Sequence, residues 1–586
     1  MTSNRNRFGY GVVFAIIIGI FLFQVIRYLH VNIDDQYITY KYAHSLAVGN
    51  GLTINPGERC EGFSSLLHLL IMSGFIYFGN FVELSPENIA AITLFSKLSG
   101  ALAGIGVLLC GGLLLISFLA LSPRQLFVAL LPIALSIDCA FSASNGLETG
   151  LIMFIVTLFV TALFNIDIRT THLGKWYWVA LVSGLALVTL RVEGILMAGV
   201  FLFSRCCRSM SSPDGRRSAL TAVRRLLVPF SGLFVALTLF RRIYFGDIIP
   251  NTYHVKIPSL SLFEEFTIHN GDFELSTTPF AHMFTTLGDY VLPAVWGWFL
   301  LFGAIVFFSY VPQHVPEAGW RSCRRWVRSK TDRNDISPME ALFVVGIPCF
   351  LMAIVSAYIG GDWMPGHRFI MHVFPVGMIL INGTIVAMLG RLRPNAHAYS
   401  GVSFVISLVY LFNLTTIEGS NKPLLLTLAS NSNGKPVQGI NAFYVLHSEN
   451  RITDDLLLYV PFLSRIRDGL DDADAVAVFE AGMASLLLAE KHYFIDLSGL
   501  TNRHIRPTRG EQFVSSSKHR YYINCGNVHS ATDRYLLSKA PRYIVFDSFT
   551  LKGCPEPPEH LLGRQYRQIE TNQGNGTGFF AVYERQ

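Results

Sequence analysis

The stretch that decides the fold is IDDQYITYKYA, residues 33–43, which places two adjacent carboxylates, Asp34 and Asp35, just after the first long apolar run. That run, residues 8–29, is long enough to cross a bilayer, because a helix of about 20 residues spans the hydrocarbon core. A carboxylate is costly inside hydrocarbon, so an acidic pair at a membrane edge is either a helix cap or a functional group. We therefore expect a membrane helix followed by a short helix over 35–47, with Asp34 as its N-cap.

The composition is that of a membrane protein. Of the 586 residues, 51% are hydrophobic and only 15% are charged, whereas soluble domains carry about 25% charged residues. The net charge of +6 is modest, and the basic residues cluster in a few loops, which indicates membrane topology rather than nucleic-acid binding. The nine cysteines show no metal-ligand spacing.

Hydropathy predicts about eleven spans, several of them short or tilted. They cover residues 8–29, 89–119, 127–140, 150–164, 177–190, 195–203, 226–239, 291–310, 341–358, 369–389 and 400–414. The apolar but interrupted run 64–78 predicts a helix lying in the outer interface. Because Arg5 and Arg7 precede the first span, we expect a cytoplasmic N-terminus held by an uncleaved signal anchor, with the acidic pair outside.

Beyond about residue 416 the apolar runs shorten to strand length. Residues 475–479, 492–495, 542–546 and 578–583 predict strands, and 483–490 predicts a helix between the first two. The chain is thus expected to consist of a transmembrane domain, 1–415, with a first outer loop at 31–88, and a soluble domain, 416–586. An odd number of spans places the soluble domain outside the cytoplasm.

Three interpretations of Asp34 and Asp35 remain open. Both carboxylates are favoured at a helix N-terminus, so the pair is consistent with simple capping. Alternatively, one of them is a general base for a hydroxyl nucleophile, with its pKa raised by the neighbouring like charge. The pair is also suited to binding a divalent cation such as Mg, Mn or Ca.

Further polar groups follow the predicted spans at their outer ends. The loop 360–368 gathers Asp362, His367 and Arg368, and a guanidinium such as Arg368 suits a phosphate. Arg191 and Glu193 form either part of a site or a local salt bridge.

The other charged residues considered also have both a functional and a structural interpretation. Glu148 either belongs to the site or caps the helix that follows it, and Asp496 either contacts substrate or holds a turn. Lys256 suits an anionic lipid head group or a loop anchor. Lys97, an ionisable residue inside a span, is a functional candidate or a snorkelling side chain. Arg241, with its neighbour at 242, is an anchor or a phosphate contact.

Several of these motifs, in the same order, resemble a known family of membrane glycosyltransferases. They are residues 34–43, 49–52, 55–62, 145–149, 191–194, 245–247, 250–253, 360–368 and 496–501. Together they resemble the GT-C superfamily, and within it the terminal β-(1→2) arabinofuranosyltransferase family of mycobacterial cell-wall synthesis. Val192, where that family usually has proline, and His367, where it often has an aromatic or apolar residue, depart from the pattern.

The resemblance implies a polytopic α-helical membrane protein of GT-C type with a C-terminal extracytoplasmic α/β domain, in the bacterial inner (cytoplasmic) membrane. It implies an enzyme that transfers a sugar from a polyprenyl-phosphate donor to a glycan or glycoconjugate hydroxyl on the outer face. It also implies that the acidic pair carries the base, and that 64–78 is a juxtamembrane helix. Substrate contacts are then expected from residues within these motifs, including Tyr37, Lys41, Glu61, Asp247 and Asn251.

A lipid-linked sugar transporter or flippase is the alternative. Transporters usually place polar residues at the midplane between repeated halves. Here the ionisable residues gather at one face and no repeat is visible, which favours the enzyme. The sequence predicts that these residues converge in one water-filled site, and this expectation carries the functional hypothesis.

Overall fold

The structure is a computed structural model, and it describes most of the first 256 residues together with separate later segments. The described ranges are 2–30, 32–166, 174–207, 213–256, 338–358, 368–392, 462–472, 474–478, 481–505, 515–516, 519–520, 535–536, 538–547, 566–573 and 579–586. They divide into two compact units. The first lies within Met1–Leu29, Lys97–Phe234 and Phe263–Leu446, and the second within His30–Ser96, Val235–Leu262 and His447–Gln586.

The helices follow the predicted apolar runs closely. In chain order they are α1 (Thr2–Tyr28), α2 (Asp34–Ala47), α3 (Leu66–Phe78), α4 (Pro86–Leu119), α5 (Pro123–Leu135), α6 (Ile137–Ser144), α7 (Thr149–Asn165), α8 (Lys175–Leu190), α9 (Gly194–Cys207), α10 (Pro213–Tyr244), α11 (Asn251–Lys256), α12 (Pro338–Tyr358), α13 (Arg368–Met371), α14 (Phe374–Leu392) and α15 (Ala481–Leu488). The predicted spans 291–310 and 400–414 lie outside the described residues.

Among the described helices, three are long and apolar enough to cross a membrane: Arg7–Tyr28, Pro86–Leu119 and Arg217–Tyr244. A fourth candidate is the pair α5 and α6, which bends by 63° at its break. Five shorter apolar helices, including α3, α7 and α8, accompany them.

Two helices differ from the prediction for local reasons. The predicted span 127–140 is two helices, because Ser136 adopts an extended backbone and its hydroxyl accepts the Cys139 N–H at 3.2 Å, which starts α6 afresh. α10 begins at Pro213 rather than near 226, so basic residues that were expected in a loop lie in its first half. Arginine is a good helix former, and hydropathy marks only the part of a helix that is apolar.

The short helix after the acidic pair begins one residue earlier than predicted. Asp34 is its first residue, Ile33 occupies the N-cap position, and no side chain caps the helix there. The expectation that Asp34 caps α2 is therefore wrong. The helix ends before Gly49, whose φ of +88° lies in the left-handed region that favours glycine.

The last part of the chain forms a mixed sheet in the order β2-β1-β5-β7-β6. Its strands are β1 (Ala475–Val478), β2 (Tyr493–Asp496), β5 (Tyr543–Asp547), β6 (Tyr566–Gln573) and β7 (Phe579–Arg585), and β3 (Ser515–Ser516) pairs separately with β4 (His519–Arg520). β1 is parallel to β2 and β5, while β7 is antiparallel to β5 and β6. The four predicted strands and the helix between the first two, α15, are confirmed.

The sheet shares its hydrophobic core with helices of the first outer loop. Its apolar residues Val476, Phe494 and Val545 join one buried cluster with Tyr42 of α2 and Leu69 of α3. Asn55 of the first outer loop donates to the Phe494 carbonyl at 2.8 Å and accepts the Phe494 N–H at 2.9 Å. The first outer loop therefore folds together with the C-terminal segment, and this compact unit differs from the predicted division at residue 416.

Candidate functional site

Asp34 is held by a helix far along the chain. Its Oδ2 accepts the Gly482 N–H at 2.6 Å, and its Oδ1 accepts the Met483 N–H at 2.8 Å. These two amides lie in the first turn of α15, where backbone donors lack partners within their own helix. Burial raises the pKa of Asp34 to about 6, while the two backbone hydrogen bonds oppose the rise.

Asp35 lies beside Asp34 in the first turn of α2, with a half-buried side chain. Within the described parts of the chain, no group of three or more His, Cys, Asp or Glu side chains is arranged to hold a metal ion. Each oxygen of Asp34 accepts one backbone N–H, which leaves lone pairs on both oxygens, so the divalent cation suggested for the pair stays a prediction.

Glu61 forms a buried ion pair with Arg241 of α10. The Nε–H of Arg241 is shared between the two carboxylate oxygens at 3.0 and 2.9 Å, and the side chains are only 5% and 8% exposed. Burial raises the pKa of Glu61 to about 7, and the guanidinium opposes this rise. The pair joins the first outer loop to the end of α10. The guanidinium of Arg241 therefore binds a carboxylate of the protein itself.

The loop after α10 is tied to the same unit through Asn251. Its side-chain amide donates to the carbonyls of Gly499 and Leu500 at 2.6 and 2.9 Å, and its own N–H donates to the Glu61 carbonyl at 2.9 Å. A buried amide engaged in this way holds backbone in place. Asn251 therefore has a scaffold role, and its predicted substrate contact stays a prediction.

Asp247 and Lys256 flank that segment. The Oδ1 of Asp247 accepts the Ile248 N–H at 2.8 Å, and its Oδ2 lies 3.0 Å from the Nε2 of His254 on α11. Lys256 is the last residue of α11. Asp247 remains half-buried, so its predicted substrate contact stays a prediction, as does that of Lys256.

Asp496 holds a turn. Its Oδ1 accepts the N–H and the hydroxyl of Ser498 at 2.8 and 2.5 Å, and its Oδ2 accepts the N–H and hydroxyl of Thr501 at 2.7 and 2.9 Å. The carboxylate is buried, and burial is the main cause of its raised pKa. Asp496 therefore holds the predicted turn, and its predicted substrate contact stays a prediction.

Tyr37 and Lys41 of α2 are both buried. Tyr37 belongs to the apolar core, its ring packs edge-on against Tyr40 at 5.6 Å, and burial raises its pKa to about 12. It is a core residue, and its predicted substrate contact stays a prediction. Burial lowers the pKa of Lys41 to about 8 against the charge of Glu490, and its substrate role stays a prediction.

The first unit contains a second charged cluster, centred on Arg191. The Nε–H of Arg191 donates to Glu193 at 2.8 Å, and its Nη1 donates to Glu148 at 3.0 Å. The salt bridge between Arg191 and Glu193 is confirmed. Glu148 occupies the N-cap position of α7, but its carboxylate makes no cap hydrogen bond there and pairs with Arg191 instead.

Arg368 and His372 complete this cluster electrostatically. Arg368 begins α13 and is buried, while His372 lies in the turn before α14. The charged groups that act on the His372 ring are Arg191, Glu193, Glu148 and Arg368. Asp362 and His367 lie outside the described residues.

Lys97 binds the C-terminal end of α1. Its ammonium donates to the carbonyl of Leu29, just beyond the end of α1, at 2.6 Å. A cation at a helix C-terminus satisfies an unpaired carbonyl and is favoured by the helix dipole. The structure thus supports a structural role for Lys97, and its predicted substrate contact stays a prediction.

Two residues, His372 and Asp138, were not predicted from the sequence, and neither was the partner of Arg241. His372 follows the motif 360–368 too closely to be separated from it by pattern, and Asp138 stands in an apolar run at the start of α6. The partner of Arg241 is 180 residues away, so nothing local identified it. A charged residue inside a predicted span was the available signal for Asp138.

Comparisons with known proteins bear on the fold. No protein-family model matches the chain, and no curated protein matches it in sequence. Two solved structures of ArnT from Cupriavidus metallidurans, in the apo state and bound to undecaprenyl phosphate, match it with TM-scores of 0.51 and 0.50, each at 13% identity over 98% of both chains. The apo oligosaccharyltransferase of Archaeoglobus fulgidus matches at 12% identity and a TM-score of 0.47, over 98% of this chain and 74% of its own.

At 13% identity the likeness to the two ArnT structures shows that this chain shares their fold. The GT-C superfamily and the arabinofuranosyltransferase family that the sequence resembles stay predictions.

Proposed function

We propose that this protein is a GT-C glycosyltransferase that uses a polyprenyl-phosphate-linked sugar as donor and a hydroxyl of a cell-envelope glycan or glycoconjugate as acceptor. The observation that carries the proposal is the acidic pair, Asp34 and Asp35, which forms the first turn of α2 directly after the first long apolar helix of a fold shared with the two ArnT structures. The family that the sequence resembles makes arabinofuranose the first donor sugar to test.

The reaction follows as a single displacement. A carboxylate of the acidic pair accepts the proton of the acceptor hydroxyl, while the hydroxyl oxygen forms a bond to the anomeric carbon. The bond from that carbon to the phosphate oxygen breaks, and polyprenyl phosphate leaves with the bonding electrons. Attack opposite the leaving group inverts the anomeric centre.

The leaving phosphate calls for a cation, because negative charge develops on it during transfer. The predicted cations are Arg368, Lys256 and Arg191, which is paired with two glutamates, and each is to be tested separately. No step is assigned to a metal ion.

The proposal places the protein in the bacterial cytoplasmic membrane, with the N-terminus inside and the acidic pair and C-terminal domain outside. Support comes from the three long apolar helices and from the distribution of basic residues by the positive-inside rule. Cysteine accessibility to a membrane-impermeant reagent at positions beside α2 and α15 tests this topology.

The deciding experiment incubates the purified full-length protein with a panel of radiolabelled polyprenyl-phosphate sugars and envelope glycan acceptors. We expect one donor to yield labelled glycan and free polyprenyl phosphate in equal amounts. Asp34→Asn and Asp35→Asn are assayed in parallel, with Asp468→Asn as a matched control, because Asp468 is 73% exposed in the same unit as the acidic pair. Near-normal turnover in both Asp34→Asn and Asp35→Asn would show that the pair does not carry the base.

The same purified protein and labelled lipids distinguish a glycosyltransferase from a lipid-linked sugar flippase. A flippase would move the labelled lipid across the bilayer of a reconstituted vesicle without forming a glycosidic bond. Movement of donor without any labelled glycan, across the whole panel, would replace the transferase proposal by this alternative.

A further inference from the structure

Two helices of the first unit carry exposed cations near their N-terminal ends. Lys175 is the first residue of α8, and Arg217 and Arg224 lie in the first half of α10. All three side chains are exposed, and none of them pairs with a carboxylate of the part of the chain that the structure describes. Residues 174–190 and 215–234 contain no Asp or Glu, so these stretches add no negative charge of their own.

Side-chain contacts hold α8 beside α10. The Tyr177 hydroxyl donates to the Arg225 carbonyl at 3.3 Å. Further along both helices, Gly184 gives room to the buried ring of Phe230, because an added Cβ would collide with that ring. Both contacts advance toward the C-terminal ends, so the two helices run in the same direction. The first turn of α8 therefore lies level with Arg225, and the cation at its start comes close to those of α10.

The exposed faces of the two helices change character in the same order. On α8, Lys175 is followed on one face by Trp178, which is 52% exposed, and by Val182, which is 64% exposed. On α10, Arg224 is followed one turn later by Val228, which is 60% exposed. Each face thus passes from a cation to an exposed apolar side chain within two turns, with a tryptophan between them on α8.

This order matches the passage from lipid head groups to hydrocarbon. Exposed apolar side chains are stable against acyl chains, tryptophan is enriched at the membrane–water interface, and cations beyond it meet head groups. Arg217 precedes Arg224 by seven residues, or about 10 Å along the helix axis, so the cations extend across a head-group layer. The ammonium of Lys175 also lies 5.5 Å from the centre of the Trp176 ring, which favours a cation at this level.

The same cations are consistent with a role in membrane topology alone. The positive-inside rule needs basic residues at one end of the spans. It does not need them on the exposed faces of neighbouring helices, in line with exposed apolar side chains and without carboxylates among them. An arrangement of this kind is what recognition of a phosphate group joined to acyl chains requires.

From this arrangement we propose that Lys175, Arg217 and Arg224, with Trp178 beside them, form a basic surface that binds the head groups of anionic phospholipids. The phosphate lies among the cations, and the acyl chains cover Trp178 and the apolar side chains beyond it. The inference goes beyond glycosyl transfer and rests only on the membrane location that belongs to the proposed function. By the proposed topology, the lipids are those of the cytoplasmic leaflet.

A matched pair of full-length variants tests the basic surface. The first is Lys175→Gln, Arg217→Gln and Arg224→Gln together. The control is Arg467→Gln, Lys491→Gln and Arg503→Gln together, which removes the same charge from exposed positions of the second unit.

The proteins, purified in neutral detergent, are titrated with phosphatidylglycerol and with phosphatidylcholine of the same acyl chains, and native mass spectrometry measures the bound lipid. Each cation near an anionic head group is worth about fivefold in binding, so the first variant should lose up to about 10²-fold of its preference for phosphatidylglycerol. The control should keep the wild-type preference.

Three further measurements make the test specific. Lys175→Arg, Arg217→Lys and Arg224→Lys together keep the charge and should keep the preference for phosphatidylglycerol. Higher salt should weaken this preference in the wild type and change it little in the glutamine variant, because salt screens exposed charges. Inorganic phosphate at the same concentration as the lipid should not displace it, because free phosphate lacks the acyl chains.

The outcomes separate this inference from the proposed function. A protein that alkaline carbonate releases from its membranes without detergent refutes the membrane location and the inference with it. For a membrane-embedded protein, the inference alone is overturned if the glutamine variant keeps the lipid preference of the control. It is also overturned if inorganic phosphate or a short oligonucleotide displaces the lipid at equal concentration, which would assign the surface to another anion.

Discussion

Replacement of Arg241 by methionine is expected to destabilise the unit that contains the first outer loop and the C-terminal sheet. The substitution keeps much of the side-chain volume but leaves the carboxylate of Glu61 buried without its cation. Removing one partner of a buried ion pair costs about 3–5 kcal/mol, because the remaining charge is desolvated and unpaired. At 5% and 8% exposure, solvent compensates little for this loss.

The adjacent arginine is the matched control. Arg242 is exposed, and its Nη1 donates to the Gly246 carbonyl at 2.7 Å. Arg242→Met removes the same charge from the same helix turn and should cost only about 1 kcal/mol. Glu61→Met combined with Arg241→Met removes both charges and should recover most of the stability, since a buried ion pair is often replaceable by apolar residues of similar size.

Thermal unfolding of the purified proteins in detergent measures these effects. A loss of about 3–5 kcal/mol corresponds to a Tm decrease of roughly 6–20 °C for a unit of this size class. The decrease should be smaller at pH 5 than at pH 8, because a protonated Glu61 needs no cation. If Arg241→Met lowers Tm no more than Arg242→Met does, or if its effect is independent of pH, the argument from the buried pair is refuted.

Three further predictions concern Glu61 itself and two other buried polar groups. Because burial raises the pKa of Glu61 from 4.5 to about 7, the folded state binds its proton more tightly than the unfolded state. The contribution of Glu61 to stability is greatest below pH 4.5 and is lost as the pH rises through about 7. Glu61→Gln should therefore flatten the dependence of Tm on pH in this range. An unchanged slope would contradict the raised pKa of Glu61. Asn55→Ala leaves the backbone N–H and carbonyl of Phe494 without their partner, which costs about 1–3 kcal/mol for each group. Hydrogen exchange of the Phe494 amide should therefore accelerate. Normal exchange would show that the two Asn55 hydrogen bonds are unimportant. Lys97→Met leaves the Leu29 carbonyl unsatisfied and should lower Tm by an amount equivalent to about 1–3 kcal/mol. Lys97→Arg keeps a cationic donor and should lower Tm less. Equal effects of the two substitutions would argue against a role of Lys97 at the end of α1.

Much of the fold was predictable because its signals are local. Ends of apolar runs located α7, α8 and α12 to within a few residues, since lipid-facing helices need continuous apolar sequence. Alternating and short apolar runs located four strands of the mixed sheet. β6, with the sequence YRQIETNQ, was missed, because an edge strand can be largely polar and then lacks the hydrophobic pattern.

The candidate site was predictable only in its residue types. The motifs selected the acidic pair, Glu61, Glu148 and Arg191, all of which prove to be buried or half-buried charged groups. They did not reveal which of these charges are already neutralised by protein partners. Asp496 illustrates the limit, because a turn carboxylate and a ligand-binding carboxylate have the same sequence signature until their hydrogen bonds are known.

The sequence by itself determined that the chain has helices long and apolar enough to cross a membrane and that a carboxylate pair follows the first of them, because hydropathy and adjacency are properties of neighbouring residues. Only the tertiary structure decided that Asp34 caps α15, that Glu61 pairs with Arg241, and that the outer loop shares its core with the terminal sheet. These contacts join residues 180 to 449 positions apart. Such pairings depend on how the whole chain packs, and no local pattern encodes them.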